Sequence, residues 1–269
     1  MLNDWVSSRF EALFQREGLI GFDAWYTTDR GSLLQRSSRR DVSILTFDDE
    51  GTERTFFLKR FHRPHIKDMW FAFQNSLRIM SQAEFERSNS DLLRTLGVGS
   101  LRPVMVGSRF LGAIERCSIL LTEQLESIQL PEYVITHWDT MPPERRQVLL
   151  RAMGKTVRKL HNGRVSFPDL YAWHFFVREQ GDSFDFDLID LHRMGRRMLF
   201  PGYIPDNLGT LLFSMPQSIF TLDDTSAILD GYFEGDPSSR RAALMPAIHR
   251  QTMKLLRRRP GSIDHKWNL

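Results

Sequence analysis

The sequence predicts an α+β protein of two lobes, an N-terminal antiparallel sheet with one main helix and a mainly helical C-terminal lobe. Three observations carry this expectation. Residues 42–47 and 55–61 are β-branched and aromatic runs separated by Asp48-Asp49-Glu50-Gly51, a composition suited to a hairpin. Residues 81–96 hold helix-forming side chains and stop at Gly97, which suits a helix C-cap. From Thr140 with Pro142, Pro143 and Glu144, the apolar residues Leu149, Met153, Val157 and Leu160 then recur at helical spacing until Asn162-Gly163.

The remaining elements fall into place around these. An N-terminal helical extension precedes the first hairpin. Strand composition returns at 103–110 and 116–125, so the first lobe is expected over residues 1–126. The second, 127–269, carries two short strands at 175–178 and 184–189 around the turn Gln180-Gly181-Asp182. Helical patterns resume near 208–214, 222–233 and 239–258.

Composition sets broad limits. Thirty-six Lys and Arg against 33 Asp and Glu leave a formal charge of +3, too mild to call for nucleic acid. Charge is nevertheless clustered in Arg193, Arg196 and Arg197 and in Lys254 with Arg257, Arg258 and Arg259. The second cluster reads either as favourable helix-end charge or as attraction to anionic lipid or a phosphorylated acceptor. No apolar run approaches the roughly 18 residues of a membrane span. The start, Met1-Leu2-Asn3-Asp4-Trp5, has no basic and apolar leader pattern, and the single Cys117 reads as a small core residue. A cytoplasmic location is the expectation from both.

Phosphoryl transfer needs a cation for phosphates, groups that hold a divalent metal and a carboxylate that orients the acceptor hydroxyl. Lys59 shares a strand face with Phe57 and Phe61, and reads either as such a cation or as an edge-strand lysine. Glu84 and Glu86 point in different directions on the following helix, so at most one meets Lys59; Glu86 is preferred. Further on, Asp169 on a loop, His174 five residues later and Asp190 after an apolar strand can converge. Taken alone among Trp173, Phe175 and Phe176, His174 reads more readily as a core histidine.

In order and spacing these segments resemble the lipopolysaccharide kinase family of the Kdo/WaaP type, which has an atypical protein-kinase-like fold. The resemblance runs over about residues 30–235. It rests on Phe57-Leu58-Lys59, Glu86 through Leu96-Gly97-Val98, Leu120-Leu121-Thr122-Glu123 and Asp169-Leu170-Tyr171-Ala172-Trp173-His174-Phe175. Ile189-Asp190-Leu191-His192-Arg193 and Asp206-Asn207-Leu208-Gly209-Thr210-Leu211 complete it.

The resemblance implies a kinase using ATP and Mg²⁺ on a sugar hydroxyl of the lipopolysaccharide inner core or a related glycolipid. Lys59, Glu86, Glu123 and Leu125 would serve the nucleotide, Asp169 would accept the hydroxyl proton, and His174 with Asp190 would hold the metal. A peripheral site at the inner face of the inner membrane, in contact with anionic lipid, is implied as well. The alternative is a pseudokinase-like binding or scaffold protein. It is motivated by Phe167-Pro168, where the family has His-Arg, and by the missing Gly-rich loop before Lys59. Asp29-Arg30-Gly31-Ser32 offers one glycine near the place of that loop, with Arg39 or Arg40 as a substitute for its phosphate contacts.

Overall fold

The computed structural model describes residues 4–196, 202–259, 261 and 263–267. Arg197 of the first basic cluster and the first three residues of the chain start lie outside the described residues. The chain divides into two compact units. The first comprises Met1–Leu92 with Leu101–Leu125, the second Leu93–Ser100 with Glu126–Leu269.

The first unit opens with strand β1 (Trp5–Val6), helices α1 (Glu11–Arg16) and α2 (Gly21–Thr27), and strands β2 (Ser32–Arg36), β3 (Arg40–Asp49) and β4 (Thr52–His62). Helices α3 (Ile66–Ser76) and α4 (Gln82–Thr95) follow. After β5 (Gly99–Ser100), which pairs in the second unit, β6 (Arg102–Leu111) and β7 (Ile114–Glu123) close a six-stranded sheet in the order β1-β6-β7-β4-β3-β2. Its pairs are all antiparallel.

Alternation along β4 sorts its side chains between two cores. Phe56 and Leu58 join Phe10, Phe14, Trp25 and Phe47 under α1 and α2, where burying each such side chain stabilises by roughly 1.5–3 kcal/mol. Phe61 goes to the opposite face with Ala83, Val106 and Leu120. Lys59 has the parity of Phe61, so the strand carries its lysine to the α4 face. The first hairpin turns at Glu50 and Gly51, both with positive φ. The glycine at 31 lies outside the turn between β2 and β3. It stands just before β2, where an added Cβ would lie 2.1 Å from the Ile44 carbonyl oxygen. The turn between β2 and β3 is instead Ser37-Ser38-Arg39.

The second unit continues with β8 (Ile128–Gln129), α5 (Leu130–His137) and α6 (Pro143–Asn162). Strands β9 (Val165–Ser166), β10 (Phe175–Gln180), β11 (Ser183–Leu188) and β12 (Gly195–Arg196) come next. Helices α7 (Tyr203–Phe213), α8 (Leu222–Phe233) and α9 (Ser238–Arg258) complete it. A four-stranded sheet has the order β5-β11-β10-β8, and β12 pairs with β9. The parallel β5–β11 pairing draws residues 93–100 into this unit.

Helix α6 begins at Pro143, where the missing N–H costs nothing, and buries Leu149, Met153, Val157 and Leu160. It meets α8 through two glycines. An added Cβ on Gly154 would lie 1.9 Å from the Ile228 carbonyl oxygen, and one on Gly231 2.0 Å from that of Arg151. Helix α8 starts with a capping box between Thr221 and Asp224. Among the described residues, no helix is long and apolar enough to cross a membrane.

Gly154→Ala and Gly231→Ala are each expected to lower the melting temperature, at a cost of about 1–3 kcal/mol for forcing α6 and α8 apart. Unchanged melting of both variants would contradict the close crossing.

Candidate active site

In the first unit the lysine on β4 meets a glutamate on α4. Lys59 Nζ lies 2.7 Å and 2.9 Å from the two carboxylate oxygens of Glu86. Their side chains are only 12% and 2% exposed, so each charge depends on the other. The Phe61 ring, 5.5 Å from Nζ, covers another side of the ammonium. Glu84 points elsewhere and accepts from the Ser81 N–H and hydroxyl at the start of α4.

What aims Glu86 is a residue with no role in the sequence reading. Glu115 on β7 is buried and accepts the Gln82 N–H at 2.9 Å and the Ser118 hydroxyl at 2.6 Å. It thereby caps the first turn of α4 and ties that helix to the sheet. Burial raises the Glu115 pKa to about 7, against the two hydrogen bonds that pull it down. Only its place beside a helix start distinguishes it, and that is a tertiary fact.

Glu123 ends β7 with its side chain engaged by Arg9 at 3.4 Å and Arg54 at 3.3 Å. The carboxylate is thus occupied, and the next residue is tied to the sheet by the Gln124 N–H, which donates to the Thr55 carbonyl at 2.9 Å. Leu125 is partly buried at the end of the unit.

In the second unit, the loop after β9 carries Asp169 and a 3₁₀ turn over Ala172–His174. Phe167 is fully buried and lies parallel to the His174 ring, with centroids 6.3 Å apart. It therefore supplies packing where the family has a histidine. The Asp169 carbonyl accepts from Tyr171 N–H and from His174 Nδ1, both at 2.8 Å. Buried Asn207 accepts the Phe167 N–H at 2.8 Å, and buried Ser214 accepts the Ala172 N–H at 2.8 Å. Both sides of Asp169 are thus pinned to α7 and its C-terminal end.

His161 closes the same network. Its Nε2 donates to Asn207 Oδ1 at 3.2 Å, and its Nδ1 accepts the Tyr232 hydroxyl at 2.9 Å. Burial lowers its pKa to about 4 and raises that of Tyr232 to about 12, so both stay neutral in this network. Asn207 lies in the Asp206–Leu211 motif, but its role emerges only when α7 packs against the loop.

His174 has its Nδ1–H committed to Asp169, which leaves the Nε2 lone pair on the side of Asp190, whose Oδ2 is 3.9 Å away. Burial pushes the imidazole below the ordinary histidine range, and outweighs the upward pull of Asp190 and Asp169. The contact is therefore a neutral imidazole facing a carboxylate rather than an ion pair. Asp190 stands in the left-handed region at φ 58°, and its Oδ1 accepts from His192 Nδ1 at 2.9 Å. Ile189 N–H bonds the His174 carbonyl at 3.1 Å, which couples the two segments.

An imidazole lone pair and a carboxylate oxygen at this spacing fit one divalent cation. Among the described residues no group of three or more His, Cys, Asp and Glu side chains gathers as a fuller metal cluster. Phosphate oxygens and water would complete the coordination of such an ion. Beside Asp169, Arg193 Nε lies 3.6 Å from Oδ2 on a side chain 55% exposed. The rings of Tyr171 and Trp173 stack 4.6 Å apart at 8°, and Arg259 donates to the Tyr171 hydroxyl at 3.0 Å. Asp187 is a structural carboxylate that holds Ser127 at 2.7 Å and Arg178 at 3.3 Å.

An antiparallel sheet with a lysine–glutamate pair, followed by a helical unit with an aspartate loop and a His–Asp pair, defines a protein-kinase-like fold. The solved structure of WaaP in complex with acyl carrier protein shares it. The TM-score is 0.68 with 23% identity over 94% of this chain and 99% of that one. Three heptose(I) kinases of the lipopolysaccharide core, all WaaP, are similar in sequence. That of Escherichia coli K12 is 29% identical over 149 residues, 52% of this chain and 56% of the relative. A second from Escherichia coli is 26% identical over 188 residues, 67% and 71% respectively. That of Pseudomonas aeruginosa PAO1 is 27% identical over 177 residues, 62% and 66%. The chain thus spans little more than half the length of the first of these. The lipopolysaccharide kinase (Kdo/WaaP) family model matches residues 24–232, and the chain belongs to that family.

Lys59→Ala strands a buried carboxylate and is expected to cost about 3–5 kcal/mol in urea unfolding. Lys59→Met combined with Glu86→Leu should recover most of that loss. Glu115 has a folded pKa above its unfolded value, so the folded state binds the extra proton between about pH 4.5 and 7. Its contribution to stability is therefore present at acid pH and lost as pH rises through that window. Glu115→Gln should become more stable relative to wild type from pH 5 to pH 8, by on the order of 2–3 kcal/mol. A pH-independent difference would contradict the raised pKa.

Proposed function

We propose that the chain is an ATP-dependent kinase that phosphorylates a sugar hydroxyl of the lipopolysaccharide inner core or a related glycolipid. The observation that carries this reading is the His174–Asp190 pair, its imidazole held neutral with the lone pair free, five residues from a carboxylate pinned at both sides. A pure scaffold has no use for that arrangement. Membership of the family supplies the substrate class, and the relatives named above act on a core heptose.

In this reading Lys59, oriented by Glu86, donates to phosphate oxygens of ATP, while the backbone of Glu123 and Leu125 meets the adenine. Mg²⁺ held by His174 and Asp190 would supply neutralisation of charge on the phosphates. Asp169 accepts the proton of the attacking hydroxyl, and its loop geometry is set by Asn207 and Ser214 through backbone N–H groups. Arg193, next to Asp169, adds a cation where the transferred group arrives. The stacked Tyr171 and Trp173 offer an aromatic surface to the acceptor sugar. The reaction takes place at the cytoplasmic face of the membrane that holds the acceptor.

Asp169→Asn and Asp190→Asn are each expected to lower kcat by roughly 10²–10⁴-fold on a core glycolipid, with circular dichroism unchanged. Thermal stabilisation by ATP with Mg²⁺ should be lost in Asp190→Asn and kept in Asp169→Asn. Full transfer by both variants would sink the assignment, and absence of any nucleotide stabilisation of the wild type would favour a scaffold.

A further inference from the structure

Helix α3 is apolar on two sides but buried on one. Its inner side packs Ala72, which is fully buried, and sets Phe71 edge-on to Phe85 at 6.0 Å. Met69 on this side accepts the Glu115 N–H through Sδ at 3.3 Å. The outer side repeats Ile66, Trp70, Phe73 and Leu77 at helical spacing, and these are 74%, 58%, 38% and 80% exposed. Trp70 and Phe73 stack on one another at 5.6 Å. Ile79 just beyond the helix is exposed, as are Leu111 and Ile114 on the β6–β7 hairpin that Met69 touches. An exposed apolar helix face of this kind marks a surface that meets something other than water.

The charge beside the patch is mainly positive. Between residues 63 and 79 stand Arg63, His65, Lys67 and Arg78 against the single acid Asp68. At the start of the helix the Arg63 N–H donates to the Arg116 carbonyl at 3.0 Å, and Arg39 Nη1 donates to the Arg63 carbonyl at 2.6 Å. The three exposed arginines border a surface cavity of about 570 Å³, walled also by Ser38 and His62. His62 is locked by the Tyr26 hydroxyl at 2.7 Å and Asp41 at 2.6 Å. Among the described residues, no carboxylate forms an ion pair with Arg39, Arg63 or Arg116, and Asp41 behind the His62 wall is taken up by His62 and Arg60, so the cavity is a basic recess.

We infer that α3 and this recess form a bilayer-docking surface, with the Ile66, Trp70, Phe73 and Leu77 stripe lying in the interface of an anionic phospholipid membrane. In it, Arg39, Arg63 and Arg116 take a lipid phosphate. Charge complementarity selects the occupant. A protein partner offers a rim of mixed donors and acceptors, whereas a bilayer interface offers apolar chains beneath a layer of phosphates, which this surface mirrors. The choice of a membrane also rests on the glycolipid reading above, because a lipid-linked acceptor must be reached at the bilayer.

The test is sedimentation of the full chain with phosphatidylcholine vesicles made with or without phosphatidylglycerol. Wild type should bind the anionic vesicles in a salt-sensitive way. Trp70→Ser with Phe73→Ser should weaken that binding about tenfold or more. Arg63→Gln with Arg116→Gln should abolish the preference for anionic over neutral vesicles. Both pairs replace exposed side chains, and both should transfer phosphate to a deacylated, water-soluble acceptor as wild type does. Wild-type failure to bind vesicles, or binding by both variants equal to wild type, overturns the inference. So does capture of an acidic carrier protein by this face with no binding of vesicles. If vesicles bind as expected but no acceptor is phosphorylated, the docking surface stands and the kinase reading fails.

Discussion

Glu86 is nearly sealed from water and Lys59 almost as much, so neither charge is tolerable without the other. That requirement reaches well beyond the two side chains. It demands that β4 present its odd-numbered residues to α4 while Phe56 and Leu58 fill the core under α1 and α2. It also demands that α4 hold one rotational setting, which Glu115 enforces from β7 by capping the helix start. The pair is thus the point where strand register, helix rotation and sheet order must agree.

The second unit solves a related problem with neutral groups. Burial holds His161 and His174 uncharged, and each then needs one donor and one acceptor partner. For His161 these are Asn207 and Tyr232, and the bond network that satisfies it also fixes the Phe167 N–H two residues before Asp169. For His174 the donor side is spent on the Asp169 carbonyl, so that the other nitrogen has nothing left to offer but a lone pair. The positions of Phe167 and Pro168 fit this arrangement. Phenylalanine packs against the His174 ring, and a proline there forgoes only an N–H that the network does not use.

A net charge of +3 conceals strong local segregation in the folded chain. Acidic side chains such as Asp41, Glu115 and Asp187 are drawn inward to cap helices and hold loops, whereas Arg39, Arg63 and Arg116 are left at the surface beside α3. A basic rim next to an apolar helix face follows from that division, and suits a protein whose proposed acceptor is anchored in a bilayer.

Much of this was legible in the sequence, and the reason differs by element. The β3–β4 hairpin, α4, α6 and the α8 and α9 helices announce themselves through periodicity and through turn residues such as Gly51, Gly97 and Gly181, whose positive φ values are local needs. Helix α3 escaped because its ends carry no capping signal: His65 makes no side-chain cap, and the left-handed C-cap is Leu77 rather than glycine. The N-terminal helical extension takes form as the short α1 and α2, whereas α5 holds too few turns to register. Lys59, Asp169, His174 and Asp190 stand out by residue type and spacing. Glu115, Asn207 and Ser214 do not, because their work is done on backbone N–H groups distant in the chain. Residue type and spacing single out the side chains able to carry phosphate chemistry and the strand face that holds the lysine. The preference for Glu86 over Glu84 becomes a contact, and one nitrogen of His174 is left with a lone pair, only through packing. Both depend on hydrogen bonds closed across elements, which no local pattern encodes.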